Sequence, residues 1–194
     1  MTEAIAIRGM AGVEHAQADG SFTVYQPGEP VPPPIRAGDR LRVRLEVADD
    51  AWIYAVSAIR KADHWKLGAW APGEAARGGI RMLWPGGRVL TADEAAMTTL
   101  FVIASGEELP WARDLMRADC SSLVGTMPVD PPVTPCDHLY GLIWKIPKRP
   151  RGMVPPVVDA FQDGRIRIPA IVSENRGAPY TAIEWQWKPR KDRE

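Results

Sequence analysis

Residues 38–60 read GDRLRVRLEVADDAWIYAVSAIR, and this stretch decides the fold class. In its first half, four apolar residues from Leu41 to Val47 alternate with charged ones, which predicts a strand with one buried and one wet face. A turn at Asp49 follows, and residues 51–60 return as a hairpin partner whose two faces are both largely apolar. We therefore expect this second strand to be central and covered on both sides.

Short apolar runs continue along the chain and are separated by turns rich in glycine and proline. The clearest are 80–85 (IRMLWP) and 98–105 (TTLFVIAS), and 139–147 (LYGLIWKIP) is also strand-like. About nine short strands at near-regular spacing predict a mainly β protein, an antiparallel β-sandwich or open barrel.

One short helix is predicted near 108–118, where Ser105 and Glu108 resemble a capping box. A length of 194 residues fits one domain, so we predict a single β-sandwich domain over 1–194. Its C-terminal part, 137–194, is interpreted as a β elaboration that packs on the same core.

Composition excludes several classes of partner. The 24 Lys and Arg residues balance 24 Asp and Glu residues, so no global field draws the chain to nucleic acid, and nucleic acid binding is not expected. No stretch approaches the roughly 20 apolar residues that span a bilayer, so no membrane association is expected. The N-terminus has no apolar run of signal-peptide length, and the cytoplasm is the expected compartment.

Reaction chemistry is hard to find in this sequence. Cys120 and Cys136 allow one disulfide, whereas a Cys120–His138 nucleophile pair or a zinc site of all three residues matches no standard pattern. No glycine-rich phosphate loop occurs, and no pair of carboxylates is marked as acid and base. We therefore predict a non-enzymatic protein with no catalytic residues, no metal and no cofactor.

The eight tryptophans are the most unusual feature of the composition. Most are expected in the core, but exposed tryptophans can stack on sugars or anchor a protein partner. Trp185 and Trp187 share a strand face, so they are either buried together or exposed as a pair. The candidate contact residues for a partner or ligand are Trp65, Trp70, Trp84, Trp185 and Trp187.

An ordered set of motifs resembles a known family. The motifs are Gly38-Asp39-Arg40-Leu41, Trp52-Ile53-Tyr54-Ala55-Val56, Met82-Leu83-Trp84-Pro85, and Leu100-Phe101-Val102-Ile103-Ala104-Ser105 followed by Leu109-Pro110. Over residues 36–118 this set is similar to domain of unknown function 4384 (DUF4384). Trp84 stands where that family favours phenylalanine, and 137–194 has no counterpart in it.

Members of that family accompany bacterial caspase-like peptidases or Ser/Thr kinases in signalling or defence, and no catalytic residues are known for them. The resemblance therefore implies an accessory module that docks on a protein partner, such as a caspase-like protease, a kinase or another regulator. One alternative is a carbohydrate- or small-ligand-binding β-sandwich that uses its tryptophans. Another is a substrate or inhibitor of a caspase-like protease, because Arg77, Arg151 and Arg176 precede glycines in predicted loops, where proteases cut.

Overall fold

The structure is a computed structural model that describes residues 4–24, 34–60, 65–96, 99–115, 117–118, 120, 128–145 and 158–189. This part of the chain holds thirteen strands and three short helices. None of these helices is long and apolar enough to cross a membrane.

The strands and helices are numbered in the order in which they follow one another along the chain. The strands are β1 (Ile5–Ala16), β2 (Phe22–Val24), β3 (Pro34–Ile35), β4 (Arg40–Val47), β5 (Ala51–Arg60), β6 (Trp65–Ala76), β7 (Gly79–Met82), β8 (Arg88–Val89), β9 (Thr99–Ser105), β10 (Val158–Asp163), β11 (Ile166–Gly177), β12 (Tyr180–Gln186) and β13 (Lys188–Pro189). The helices are α1 (Ala92–Ala95), α2 (Pro110–Leu115) and α3 (Pro135–Lys145).

The larger sheet has seven strands and curves into a half-barrel. Its order is β10-β11-β1-β4-β7, with β2 also paired to β1 and β8 also paired to β4. All of these pairs are antiparallel. The alternation in β4 buries Leu41, Val43, Leu45 and Val47 on the inner side, as the sequence predicts.

The second sheet has four antiparallel strands in the order β12-β9-β5-β6. Every residue of β9 is buried. In β5, Ile53 and Ala55 face the larger sheet, whereas Tyr54 and Val56 face the helices, and all four are buried. The prediction that this strand is central and covered on both sides is confirmed, as is the mainly β, antiparallel fold.

A third layer of helices covers the outer side of the four-stranded sheet. Leu115 of α2 and Leu139 and Leu142 of α3 pack there against Phe101 and Ile103 of β9. A disulfide between Cys120 and Cys136 joins the chain after α2 to the start of α3. The backbone amide of Leu109, just before α2, donates to the Tyr54 hydroxyl over 2.8 Å, which ties this layer to the sheet.

The two sheets are joined in the core by Trp185 of β12. Its ring is 2% exposed and packs over Gly9 of β1, where an added Cβ would lie 2.5 Å from the ring. Its indole Nε1 donates to the carbonyl oxygen of Ile171 in β11 over 2.8 Å. Glycine at position 9 therefore permits the close approach, and the hydrogen bond fixes the ring against the opposite sheet.

One segment has a different secondary structure from the prediction. The strand-like run 139–147 lies mostly in α3, and a cap encoded just before this run starts the helix. Thr134 Oγ1 accepts from the Asp137 amide over 3.1 Å, the Asp137 carboxylate accepts from the Thr134 amide over 2.8 Å, and Pro135 opens the helix. Since Cys136, Leu139 and Leu142 are buried on one side, the apolar run follows the period of a helix and not the period of two that a strand requires.

Replacing Trp185 by phenylalanine tests the junction between the sheets. We expect Trp185→Phe to lower the free energy of unfolding by about 1–3 kcal/mol, because a buried hydrogen bond is lost and a gap opens against Gly9. Urea denaturation measures this change. Trp144→Phe is the matched control, because Trp144 is 46% exposed and its replacement should cost less than about 0.5 kcal/mol. Equal losses in the two variants would contradict the role of Trp185.

Removing the disulfide tests the helix layer. The bond links residues 16 apart in sequence, and a closed loop of about that length contributes about 3 kcal/mol by restricting the unfolded chain. We expect a Cys120→Ala, Cys136→Ala double variant to lose about this much in urea denaturation under oxidising conditions. A reducing agent should destabilise the wild type similarly and leave the double variant unchanged. Free thiols in the denatured, unreduced wild type would show that the bond is absent.

Candidate functional site

The outer face of the seven-stranded sheet, which turns away from the four-stranded sheet, is the candidate site. In β1 and β4 this face is formed by every second residue. The sequence predicts that the charged residues of β4 on this face are exposed to solvent. The structure corrects this prediction for Arg42, which is 6% exposed. The outer-face residues of the two strands are Arg8, Met10, Gly12, Glu14, Arg40, Arg42, Arg44 and Glu46.

The β10–β11 hairpin curls over part of this face. Met10 packs with Phe161, Ile168, Ala170 and Val172 in a small core of its own, separate from the core between the sheets. Gly12 lies beneath the hairpin, and a Cβ there would overlap the Ile168 side chain and lie 2.6 Å from the Pro169 carbonyl oxygen. The absence of a side chain at Gly12 thus lets the hairpin bend back onto the sheet.

Buried ion pairs hold the hairpin in this position. The Arg42 guanidinium donates to the Glu14 carboxylate over 2.5 Å and also binds Asp163 at the end of β10. Glu14 is 1% exposed, and Arg40 lies 3.7 Å from the same carboxylate. Burial by itself lowers the pKa of Arg42, but the hydrogen bonds and charges of Glu14 and Asp163 outweigh it, so this pKa is raised and the guanidinium stays charged.

A second buried carboxylate lies where β4 begins. Asp39 is fully buried and accepts from the backbone amides of Ala16 and Arg36, over 3.0 and 3.1 Å. Its carboxylate also lies 3.0 Å from Nδ1 of His15 in β1. Burial raises the pKa of Asp39, but the hydrogen bonds from these groups outweigh it and lower that pKa overall.

The uncovered part of the outer face carries large aliphatic side chains. Ile80 in β7 is 61% exposed, Val89 in β8 is 51% exposed, and Ile166 at the hairpin end is 37% exposed. The strand registers place these residues opposite Glu46, Arg40 and Asp163 respectively, and residues directly opposite in antiparallel strands share a face. Ile80 and Val89 therefore lie on the outer face of the sheet, whereas Ile166 lies on the side of the hairpin that turns toward β1 and β4.

Of the tryptophans proposed from the sequence as contact residues, none whose side chain is described belongs to this face. Trp185 and Trp187 are buried together in the core at 2% and 5% exposure, so neither can be a surface contact in the folded protein. Trp84 is half-buried, and the Arg88 guanidinium lies 5.6 Å from the centre of its ring. Trp65 and Trp70 belong to β6, and their side chains lie outside the described part of the structure.

The arginines predicted to mark protease-sensitive loops fall in different places. Arg77 is exposed in the short connection between β6 and β7. Arg176 is not in a loop, because β11 extends to Gly177 and pairs Arg176 with Ala6 of β1. A protease would have to unpair this strand before it could cut there. Arg151 lies outside the described residues.

The structure removes the cysteine chemistry considered from the sequence. Both cysteines are in the disulfide, so neither is a thiol nucleophile or a zinc ligand in this state. His138 instead stacks on Trp111, with ring centroids 5.3 Å apart. Within the described ranges, no group of three or more His, Cys, Asp or Glu side chains could hold a metal ion.

A small cavity of about 180 Å³ lies at the β11–β12 turn, close to α3. Leu142, Tyr180 and Ala182 line it together with residues 175–179 and Thr181. Tyr180 also meets the edge of the Trp111 ring, with centroids 6.4 Å apart. This volume is below the roughly 300–1,000 Å³ of typical small-molecule pockets, so only a very small ligand would fit.

Comparisons of this chain with protein-family models, with curated proteins and with solved structures gave no match. The resemblance of residues 36–118 to DUF4384 therefore stays a prediction.

Sequence reasoning did not identify the outer face, although part of the signal was present. Ile80 and Met82 alternate with Arg81, a period-two pattern that places both on one side of a strand. What the sequence does not give is which side meets water, because that depends on how far the β10–β11 hairpin reaches. The Asp-Gly turn at Asp163 does predict the hairpin itself.

Removing Arg42 tests the buried ion pairs. We expect Arg42→Met to lower the free energy of unfolding by about 3–5 kcal/mol, because the buried Glu14 carboxylate loses its partner. Adding Glu14→Gln to this variant should restore part of the loss. Arg113→Met is the control, since the Arg113 side chain is 70% exposed and pairs with Glu108 at the surface, and about 0–1 kcal/mol is expected. A loss in Arg42→Met no larger than in this control would contradict the burial of the pair.

Proposed function

We propose that this chain is a non-enzymatic interaction module that docks on another protein through the outer face of its seven-stranded sheet. The observation that carries the proposal is the shared face of Ile80 and Val89, which exposes two aliphatic side chains beside the part of the sheet that the hairpin covers. Exposed apolar groups that gather on one face mark interaction sites more often than scattered ones do.

The partner that fits this surface is a protein with apolar side chains beside carboxylates. Arginines lie among the aliphatic residues: Arg40 is the pairing partner of Val89, and Arg44 is that of Met82. Protein interfaces are enriched in arginine and in large apolar side chains. A lipid surface fits less well, because Glu46 and Asp159, whose side chains are about half exposed, would also have to leave water.

The class of partner follows from the resemblance to DUF4384 alone. On that basis we propose a caspase-like protease, a kinase or another regulator in a bacterial signalling or defence system. The burial of Trp185 and Trp187 supports docking over sugar binding, because it removes the exposed tryptophan pair that sugar binding would use. The disulfide favours an oxidising compartment, and the cytoplasmic location expected from the sequence stays a prediction.

One alternative function has an observation in its favour. The cavity beside Tyr180 and Leu142 offers a small ligand an aromatic ring and an aliphatic side chain.

Cleavage by a caspase-like protease is the other alternative. Arg77 remains an exposed candidate cleavage site, whereas Arg176 is paired in β11.

Site-specific cross-linking tests the docking face. We expect a photo-cross-linking residue at position 80 to capture one defined protein in extracts of the native cells, because Ile80 is the most exposed aliphatic residue of the face. The same residue at position 114, which is exposed on α2, is the control and should capture nothing specific. The captured protein, once purified, should bind the wild type and lose affinity about tenfold for Val89→Ser.

Two results would count against this proposal. Equal capture from positions 80 and 114 would show that the outer face is not selective. Binding of the purified partner that is unchanged in Val89→Ser, in a variant shown to be folded, would move the contact elsewhere on the molecule.

A further inference from the structure

We infer that Arg8 and Arg44 together form a receptor for one carboxylate group of the partner, above the sulfur of Met10. This inference rests on the proposed docking function and specifies the chemistry that the docking face recognises. It concerns a single subsite at the junction of β1, β4 and β7.

Two guanidinium groups converge on one buried thioether. Nη1 of Arg8 lies 3.7 Å and Nη1 of Arg44 lies 3.5 Å from Met10 Sδ, and Met10 is 2% exposed. A thioether sulfur is a weak acceptor, whereas a guanidinium forms its strong, bidentate bonds with carboxylates. The two guanidinium groups thus share the Met10 sulfur as an acceptor, and this uncharged sulfur neutralises neither positive charge.

The two arginines differ in their carboxylate partners. Arg8 is 3.2 Å from Asp159 and 3.9 Å from Glu46. Among the described residues, the Arg44 guanidinium has no carboxylate within 4.0 Å, and the polar atom that it contacts is the Met10 sulfur. Its neighbours across the ladder are Met10 and Met82, and Arg44 is itself half-buried. Arg44 is therefore partly withdrawn from water without an ionic partner, a cost that an incoming carboxylate would offset.

The surroundings favour a carboxylate over a phosphate. Glu46, Asp159 and Glu174 share this face with Arg8, as the registers of β4, β10 and β11 show. These three negative charges repel a polyanion such as nucleic acid more strongly than a single carboxylate. A single carboxylate that binds between the two guanidinium groups meets less of this repulsion than a polyanion does.

The side chain beside the carboxylate is also specified. Ile80, which is 61% exposed, lies on the strand that pairs with β4 at Arg44 and on the same face. A partner segment with Asp or Glu next to an aliphatic residue would bind both groups at once. The recognised element is therefore an acidic residue flanked by aliphatic ones.

Peptide selection against the intact folded protein tests this inference. We would pan a phage-displayed library of random twelve-residue peptides on the wild type and synthesise the enriched sequences. We expect them to carry Asp or Glu beside an aliphatic residue and to bind Arg44→Met at least about tenfold more weakly. Arg44→Lys should fall between the two, because lysine keeps the charge but not the fork. Arg113→Met, on the opposite side of the fold, is the matched control and should bind like the wild type.

A paired change in the peptide locates the contact. Changing its acidic residue to the amide should weaken binding to the wild type about as much as Arg44→Met does, and should have little further effect on Arg44→Met. Enriched peptides without an acidic residue, or ones unaffected by Arg44→Met, overturn the carboxylate receptor. Binding of a DNA duplex that depends on Arg44 overturns it in favour of a phosphate site.

The outcomes separate this inference from the docking proposal. Peptides that fail to bind Ile80→Ser but still bind Arg44→Met refute the carboxylate receptor and still support docking through the outer face. Peptides that bind equally well to both variants refute both ideas, as does the failure of the folded wild type to enrich any peptide.

Discussion

The close contact between Trp185 and Gly9 sets the spacing of the two sheets. A large ring from the four-stranded sheet lies where β1 has no side chain, and its indole hydrogen-bonds to the carbonyl oxygen of Ile171 in the other sheet. Sandwich cores depend on side chains from both inner faces filling a layer about 10 Å thick. In this protein one residue supplies both packing and a directional bond, so the registers of β12, β1 and β11 are fixed relative to one another.

The same constraint makes the outer face available for binding. With its inner face fully used by the core, the seven-stranded sheet can present only its outer side, and the β10–β11 hairpin covers part of that side. Ion pairs of Arg42 with Glu14 and Asp163 link the hairpin to the sheet, and losing one partner would leave a largely buried charge uncompensated. The uncovered strands β7 and β8 are short and carry the aliphatic residues. Rigid support therefore lies directly beneath the proposed contact surface.

Local pattern predicts much of this fold, and what it misses depends on distant contacts. Alternation in β4 indicates its inner residues, and the two apolar faces of β5 indicate its central position, because the spacing of apolar residues reflects burial on one face or on both. The helix α3 escapes prediction because its apolar run is short and nearly continuous, and such a run does not by itself separate a buried strand from a helix. Only Thr134 and Pro135, which precede the run, mark a helix start. The burial of Arg42 has no local signal, since its partners Glu14 and Asp163 come from 28 residues before and 121 residues after it. The tryptophan content of the chain does not indicate where each ring lies, and Trp185 proves to be core.

The pairing of β1 with β11 has a consequence for how the chain folds. Ile5 pairs with Gly177, so the first described strand completes its hydrogen bonds only with a strand from the last part of the sequence. Contacts this far apart carry a large loop-closure entropy and are characteristic of slow folding. During synthesis β1 and β4 can pair early, but one edge of β1 stays open until β11 emerges from the ribosome. Until then the nascent half-barrel exposes an unpaired strand edge, so its assembly competes with association between unfinished chains.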